Sequence, residues 1–399
     1  MTGGEIKAVC KSRPTAPFDN RFCVTKAKKA AAFHQSFSEY AVTPLVSLQN
    51  LAKNLGIRGF YVKDESFRFG LNAFKVLGGS YAMGCVMAAR LGLDIGEVTI
   101  DRLKSLEARE RIGELTFVTA TDGNHGRGVA WAASRLGHKS VVYMPKGSSI
   151  ERLQNIRALG AEASITDLNY DDAVRLAKGK ADENGWIFLQ DTAFAGYEEI
   201  PAFIMQGYET MALEISHQLK DVRPTHIFLQ AGVGAMAGAV TGFFADFYGA
   251  DLPIVTIVEP DRADCIFKTA KASDGALHKV GGDLDTIMAG LACGEPCSLG
   301  WRVLDAYAEN FLSVPDFIAA KGMRVLGNPV GDDARIISGE SGAVTAGLVA
   351  EVLQKEGLKE LREKLGLTGD SIVLCISTEG DTDRENYRRI VWDGLYPSV

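Results

Sequence analysis

The chain has 399 residues, 46% of them hydrophobic and 23% charged, with 43 basic against 50 acidic residues for a net charge of −7. That length accommodates about two or three lobes around a large core, and an acidic balance without a long basic run argues against a nucleic-acid or anionic-membrane surface. The start, Met1-Thr-Gly-Gly-Glu-Ile-Lys7, lacks the order of a secretory signal, and the longest low-charge stretch, Ala231 to Ala245, is too short and weakly apolar to cross a bilayer. A soluble cytoplasmic protein is expected.

In chain order, Phe60-Tyr-Val-Lys63 reads as a strand and Asp64 to Leu71 as a polar loop. From Ala73 the apolar residues Phe74, Leu77, Tyr81 and Val86 recur at helical spacing. Asn72-Ala-Phe-Lys75 therefore places a lysine in the first turn of a helix, where the positive end of the dipole disfavours an ammonium. Burial pushes the same way, so the amine is expected to be neutral and nucleophilic near neutral pH, fit to form a Schiff base with an aldehyde such as pyridoxal phosphate. The bland alternative is a lysine whose stem packs while its head reaches water.

The middle of the chain alternates short β runs with helices: strands at 115–120, 140–144, 163–166 and 186–190, and helices through 129–133, 151–159 and 170–184. This is a four-stranded, mainly parallel α/β unit. Strands at 226–230, 254–259 and 372–376 belong to a second sheet, which the segment around Lys63 joins. The smaller unit is thus an insertion, 84–191, within a larger unit of 1–83 and 192–399. The fold class is α/β, with two open, mainly parallel sheets flanked by helices. Ligands in such sheets sit beyond the carboxyl ends of strands, often between lobes.

The motifs fall at such ends. Ala231-Gly-Val-Gly-Ala-Met-Ala-Gly238 follows a strand and opens a helix, as a phosphate-wrapping loop does. The same run satisfies the dinucleotide pattern Gly232-x-Gly234-x-x-Ala237, with Glu259 about where a ribose-binding acid belongs, so an NAD-dependent amino-acid dehydrogenase is a rival. Thr121-Asp-Gly-Asn-His-Gly126 sits at a strand-to-helix corner, where Asn124 offers an amide to a ring hydroxyl or carboxylate; an Asx-turn or a cap at Asp122 is the plain reading. His125 is as well suited to a structural role as to proton transfer. Gln190-Asp-Thr192 puts Asp191 at the same edge as Asp122, where two acids can hold a cationic group or exchange protons. Ser377-Thr-Glu-Gly-Asp381 ends the late strand, where a hydroxyl suits hydrogen bonding to a pyridine nitrogen; an ordinary turn is the alternative.

Seven cysteines (10, 23, 85, 265, 293, 297 and 375) are scattered without a CxxC, and no zinc spacing accompanies Cys293 and Cys297. Most read as buried thiols. Cys265 and Cys293, both beside loops near the ligand region, are the candidate pair for a bridge, although cytosolic disulfides are uncommon. No metal site is expected.

The helix-starting lysine, the Gly-Asn-His-Gly corner, the glycine loop and the late-strand hydroxyl, in this order, resemble the fold-type II pyridoxal-phosphate enzymes. A dinucleotide enzyme has no use for the Asn-Ala-Phe-Lys segment, which sets the NAD reading aside. Within that group the chain is similar to the diaminopropionate ammonia-lyases in Lys63-Asp-Glu-Ser66, Phe69-Gly-Leu-Asn-Ala-Phe-Lys75, Thr121 to Trp131, Gln230 to Gly238, Ile287 to Pro296, Ser338 to Ala343 and Ile376 to Asp383. The likeness runs from about Phe33 to Trp392. It implies pyridoxal 5'-phosphate as cofactor, an amino-acid substrate and a homodimer, with conversion of D- and L-2,3-diaminopropionate to pyruvate and two ammonia. A serine/threonine dehydratase-type lyase is the alternative. Dehydratases of this fold usually carry serine where Asp122 stands; an aspartate repels a carboxylate and attracts a second ammonium. The implied catalytic residues are Lys75, Asp122 and Asp191. The implied cofactor contacts are Lys75, Phe74, Asn124, Gly232, Val233, Gly234, Ala235, Glu340, and Ser377 or Thr378.

Overall fold

The computed structural model describes residues 4–13, 21–121 and 123–398; Asp122 lies outside the described residues. Among the described residues, eleven strands form two sheets. Seven belong to one sheet: β1 (Lys7–Cys10), β2 (Leu45–Ser47), β3 (Gly59–Asp64), β8 (His226–Gln230), β9 (Ile254–Pro260), β10 (Asn310–Val314) and β11 (Ile372–Ser377), in the order β1-β10-β9-β8-β11-β3-β2. Its five central strands run parallel, and only the edge strands β1 and β2 pair antiparallel. The other sheet is wholly parallel, β6-β5-β4-β7, from β4 (Thr116–Ala120), β5 (Lys139–Met144), β6 (Glu162–Ile165) and β7 (Ile187–Phe188). Strands of this kind are buried on both faces and read as continuous apolar runs, which is why they were legible in the sequence. The edge strands and the fully buried β10 carry weaker patterns. β7 keeps only two ladder residues, where the sequence suggests five.

Register brings the site together. In β3 and β11, Lys63 lies opposite Ile376 and Asp64 opposite Ser377, so both strands end level. Beyond them the chain continues the pairing irregularly: Phe74 N–H donates to Thr378 O at 3.1 Å, and Gly380 N–H to Asn72 O at 3.0 Å. The helix Val76–Leu91 starts only after this clasp, so Lys75 is the residue preceding the helix rather than part of its first turn. That helix meets the helix Asn124–Leu136 at very close range. A Cβ on Gly128 would lie 2.8 Å from Val76 Cα, so only glycine permits the approach.

The segment between β3 and Lys75 holds only short 3-10 turns over Glu65–Gly70, interrupted at Arg68 and Phe69, and is fixed by other means as well. Phe69 (φ +50°) and Asn72 (φ +57°) both lie in the left-handed region. For phenylalanine this costs roughly 1–2 kcal/mol, and the ring is retained by contact with Trp131 at 4.9 Å and Phe37 at 5.7 Å. Beside it, fully buried Arg68 grips Glu65 and Glu214 through bonds of 2.8 Å each. Lys63, also fully buried, reaches Glu214 at 2.6 Å, Thr43 O at 2.7 Å and Gln218 at 2.8 Å. Two cations and two carboxylates thus neutralise one another and clamp the segment to the helix Glu199–Leu219. Removing one partner strands buried charge. Glu214→Ala is expected to lower unfolding free energy by about 3–5 kcal/mol, read from urea denaturation with the slope unchanged.

Candidate active site

The loops after β8 and β11, the Lys75 segment and the carboxyl edge of the small sheet enclose one cleft. Phe74, Lys75, Asn124, Asp191, Thr378 and the run Gly232 to Ala235 all line it. Gly234 takes φ +88°, the left-handed turn that lets the chain pass from β8 into the helix Ala235–Tyr248. Gly232 is packed so closely that a Cβ would sit 3.2 Å from Leu291 Cα and 3.3 Å from Cys293 Sγ.

Lys75 is 19% exposed, and its amine is in direct contact with the carboxylate of Asp191, which is 3% exposed. The structure sets a carboxylate against the amine that the sequence reading expects to be neutral. Burial does oppose the ammonium, but the adjacent Asp191 charge outweighs it and holds the lysine pKa above its ordinary value. Burial likewise works against the Asp191 carboxylate, yet the Lys75 charge and then the His125 side chain bring its pKa down to about 2. A partner 116 residues away in sequence is invisible to a reading of local burial and helix dipole.

Thr378 and Ser377 are now distinguishable by place. Ser377 faces inward, its hydroxyl donating to Ser338 Oγ at 2.8 Å. Thr378 lines the cleft, and its Oγ1 accepts from Gln230 Nε2 at 3.0 Å, which leaves its own hydroxyl proton for another acceptor. Glu340 is also off the cleft. It begins the helix Glu340–Gln354 and accepts from Asn386, while burial and the nearby Glu379 charge raise its pKa to about 7. Its neighbour Ser341 takes the lining position and accepts from Gly290 N at 3.1 Å.

Other readings are corrected. Glu259 caps the helix Cys265–Ala272, accepting from Ile266 N at 2.9 Å and Phe267 N at 2.6 Å, and is fully buried, so it is not poised for a ribose. Cys265 and Cys293 are separate thiols rather than a bridge; Cys265 Sγ contacts Gly232 O at 3.6 Å. His125 is buried with Nε2 on Leu189 O at 2.9 Å, tying its helix to the segment after β7.

The sequence reading missed Tyr208, Gln230, Cys293, Ser341 and Glu379, all of which line the cleft. Four lie within apolar runs or motifs valued for other residues. Tyr208 sits mid-helix, where only tertiary contact reveals it: its ring packs 4.8 Å from that of Phe74, and its buried hydroxyl has no hydrogen-bond partner among the described residues.

A family model for pyridoxal-phosphate-dependent enzymes matches residues 37–378. Diaminopropionate ammonia-lyase of Escherichia coli strain K12 is 53% identical over 378 residues, covering 94% of this chain and 93% of that protein. The chain belongs to the diaminopropionate ammonia-lyase family of pyridoxal-phosphate-dependent enzymes. A crystal structure of the E. coli diaminopropionate ammonia-lyase in complex with D-serine superposes with a TM-score of 0.93 at 49% identity, over 98% of each chain. A threonine deaminase from Solanum lycopersicum, at 20% identity and a TM-score of 0.72 over 98% of this chain and 97% of that one, shares the fold. This family member is a fold-type II lyase that uses pyridoxal 5'-phosphate. Its cleft suits that group: a Cβ at Gly232 would be tightly packed, so the backbone there stays open to a phosphate, and the Tyr208 hydroxyl is an orphaned buried donor among the described residues.

The Lys75–Asp191 pair makes the stability of the fold depend on pH. Asp191 has a folded pKa below its ordinary 3.8, so its contribution is present above that value and lost as pH falls towards about 2. Lys75, raised, contributes below its ordinary 10.5 and loses that contribution only at higher pH. Asp191→Asn is expected to destabilise the ligand-free protein by about 2 kcal/mol at pH 7, with the gap to wild type closing between pH ~4 and ~2. Urea unfolding across that range checks it.

Proposed function

We propose that the chain converts 2,3-diaminopropionate, in both D and L forms, with one water into pyruvate and two ammonia. The observation that carries this reading is the meeting of Lys75 and Asp191 in the cleft: a proton-carrying amine beside a buried carboxylate able to receive an ammonium. The activity in the E. coli relative's name supports it.

Bound pyridoxal phosphate supplies the electron sink that makes the α-proton acidic and lets the β-amino group leave. Gly232, Val233, Gly234 and Ala235 would hold its phosphate at the start of the helix Ala235–Tyr248. Asn124 would meet the ring oxygen, and Phe74 would pack beside Lys75. Thr378 rather than Ser377 would donate to the ring nitrogen, because Gln230 occupies an acceptor site on Thr378 while the Ser377 proton is spent on Ser338. Glu340 supports the site from behind through the helix it begins. Lys75 carries the α-proton of one enantiomer. Asp122 would take that of the other. Asp191 orients the β-ammonium. Carbon–nitrogen cleavage releases ammonia, and the freed enamine hydrolyses to pyruvate and the second ammonia.

Residues 84–191 would form the small domain, and 1–83 with 192–399 the large one. A cytoplasmic homodimer follows from the family resemblance; no helix among the described residues is long and apolar enough to cross a membrane.

Pyruvate release from D- and L-2,3-diaminopropionate, with L-serine and L-threonine alongside, tests the reading. Faster turnover of the diamino acids is expected; a preference for the hydroxy acids would overturn it. Lys75→Ala should abolish turnover. Asp122→Asn should slow the D isomer by roughly a hundredfold or more with much less effect on the L isomer, and equal loss for both would make Asp122 a binding residue.

A further inference from the structure

We infer that Glu379 is a positioning residue for the cofactor, acting through Asn124. This rests on the reading that Asn124 meets the ring oxygen. Glu379 is 2% exposed, lines the cleft, and has no lysine or arginine paired with it among the described residues. Three donors meet its carboxylate, and Glu340 stands nearby. Oε2 accepts from Asn124 Nδ2 at 2.5 Å and from the Thr382 hydroxyl at 3.5 Å. Oε1 accepts from Ser341 N at 3.2 Å, at the start of the helix Glu340–Gln354.

An ionised carboxylate only accepts. A side-chain amide has an acceptor end and a donor end of nearly equal shape, so contacts of shape alone leave its orientation open. Against Glu379 it is not open: turning Asn124 over would set its carbonyl oxygen against a carboxylate oxygen. The NH2 end therefore faces Glu379. One of its two hydrogens is used there, in a charge-assisted bond. The other remains for the cleft, which Asn124 lines. An anionic ring oxygen is an acceptor, and this second N–H is what it requires.

Glu379 also joins the two halves of the site. Its side chain holds the helix Asn124–Leu136, from the small-sheet side. Its backbone pairs with Ala73, within the clasp that delivers Lys75. The plain alternative is that Glu379 merely caps the helix Glu340–Gln354 through Ser341 N–H. In that case its loss would act independently of Asn124.

The test is a double-mutant cycle on cofactor binding. Wild type, Asn124→Ala, Glu379→Ala and the double variant are stripped of cofactor and titrated with pyridoxal phosphate, following tryptophan fluorescence. The pH midpoint of the bound cofactor's visible absorption is read for each. Each single variant is expected to bind roughly ten- to a hundredfold more weakly and to shift the midpoint in the same direction. The double variant should be no worse than Asn124→Ala. Losses that multiply in the double variant, with Asn124→Ala itself impaired, would overturn the role of Glu379 and leave the Asn124 reading standing. An Asn124→Ala protein with unchanged affinity and midpoint would remove the Asn124 reading and this role with it. Should Glu379→Ala fail to fold, Glu379→Gln completes the cycle, since its Oε1 can still accept from Asn124 and an intermediate loss is expected.

Discussion

Lys75 reaches the cleft on a stretch of chain that cannot hold itself in place. Between the end of β3 and the helix Val76–Leu91 the backbone passes through two left-handed residues and no continuous ladder. Its position is imposed from outside, by the neutralised cluster of Lys63, Arg68, Glu65 and Glu214 on one side and by the backbone clasp with Thr378–Gly380 on the other. Taking these charges out of water is costly. What the cluster provides is directionality: the Arg68 fork and the carboxylates accept few alternative arrangements.

The second organising feature is electrostatic. Lys75 and Asp191 come from opposite sheets and meet in the cleft, each keeping the other charged against burial. The helices Val76–Leu91 and Asn124–Leu136 meet in a near-contact that a side chain at Gly128 would block. Packing of this kind transmits position accurately because interiors have few voids to absorb a shift.

Around the cleft, hydrogen-bond polarity assigns the groups. Gln230 makes Thr378 Oγ1 an acceptor and so frees its proton; Ser338 takes the proton of Ser377. Glu379, which can only accept, turns the Asn124 amide. None of these assignments depends on the identity of one residue. Each is a relation between a donor and an acceptor.

The sequence by itself determined the fold class and most of the cleft. Parallel strands buried on both faces leave apolar runs bounded by glycine loops, and β8, β9, β11 and the four strands of the small sheet are legible for that reason. Asn124, Asp191 and the Gly232–Ala235 turn stand just past strand ends, where ligands of such sheets bind, so their convergence follows from topology; Lys75 reaches the same edge only through the backbone clasp. The tertiary structure decided what depends on partners remote in the chain. The charge of Lys75 answers to a residue 116 positions away, the hydroxyl bonds of Ser377 and Thr378 to Ser338 and Gln230, and the orientation of Asn124 to a carboxylate 255 positions on. It also moved Glu259 into a helix cap and left Cys265 and Cys293 unbridged. Periodicity records which face of an element is buried. It carries no record of the donor, acceptor or charge that will stand opposite, and those set the chemistry of a side chain.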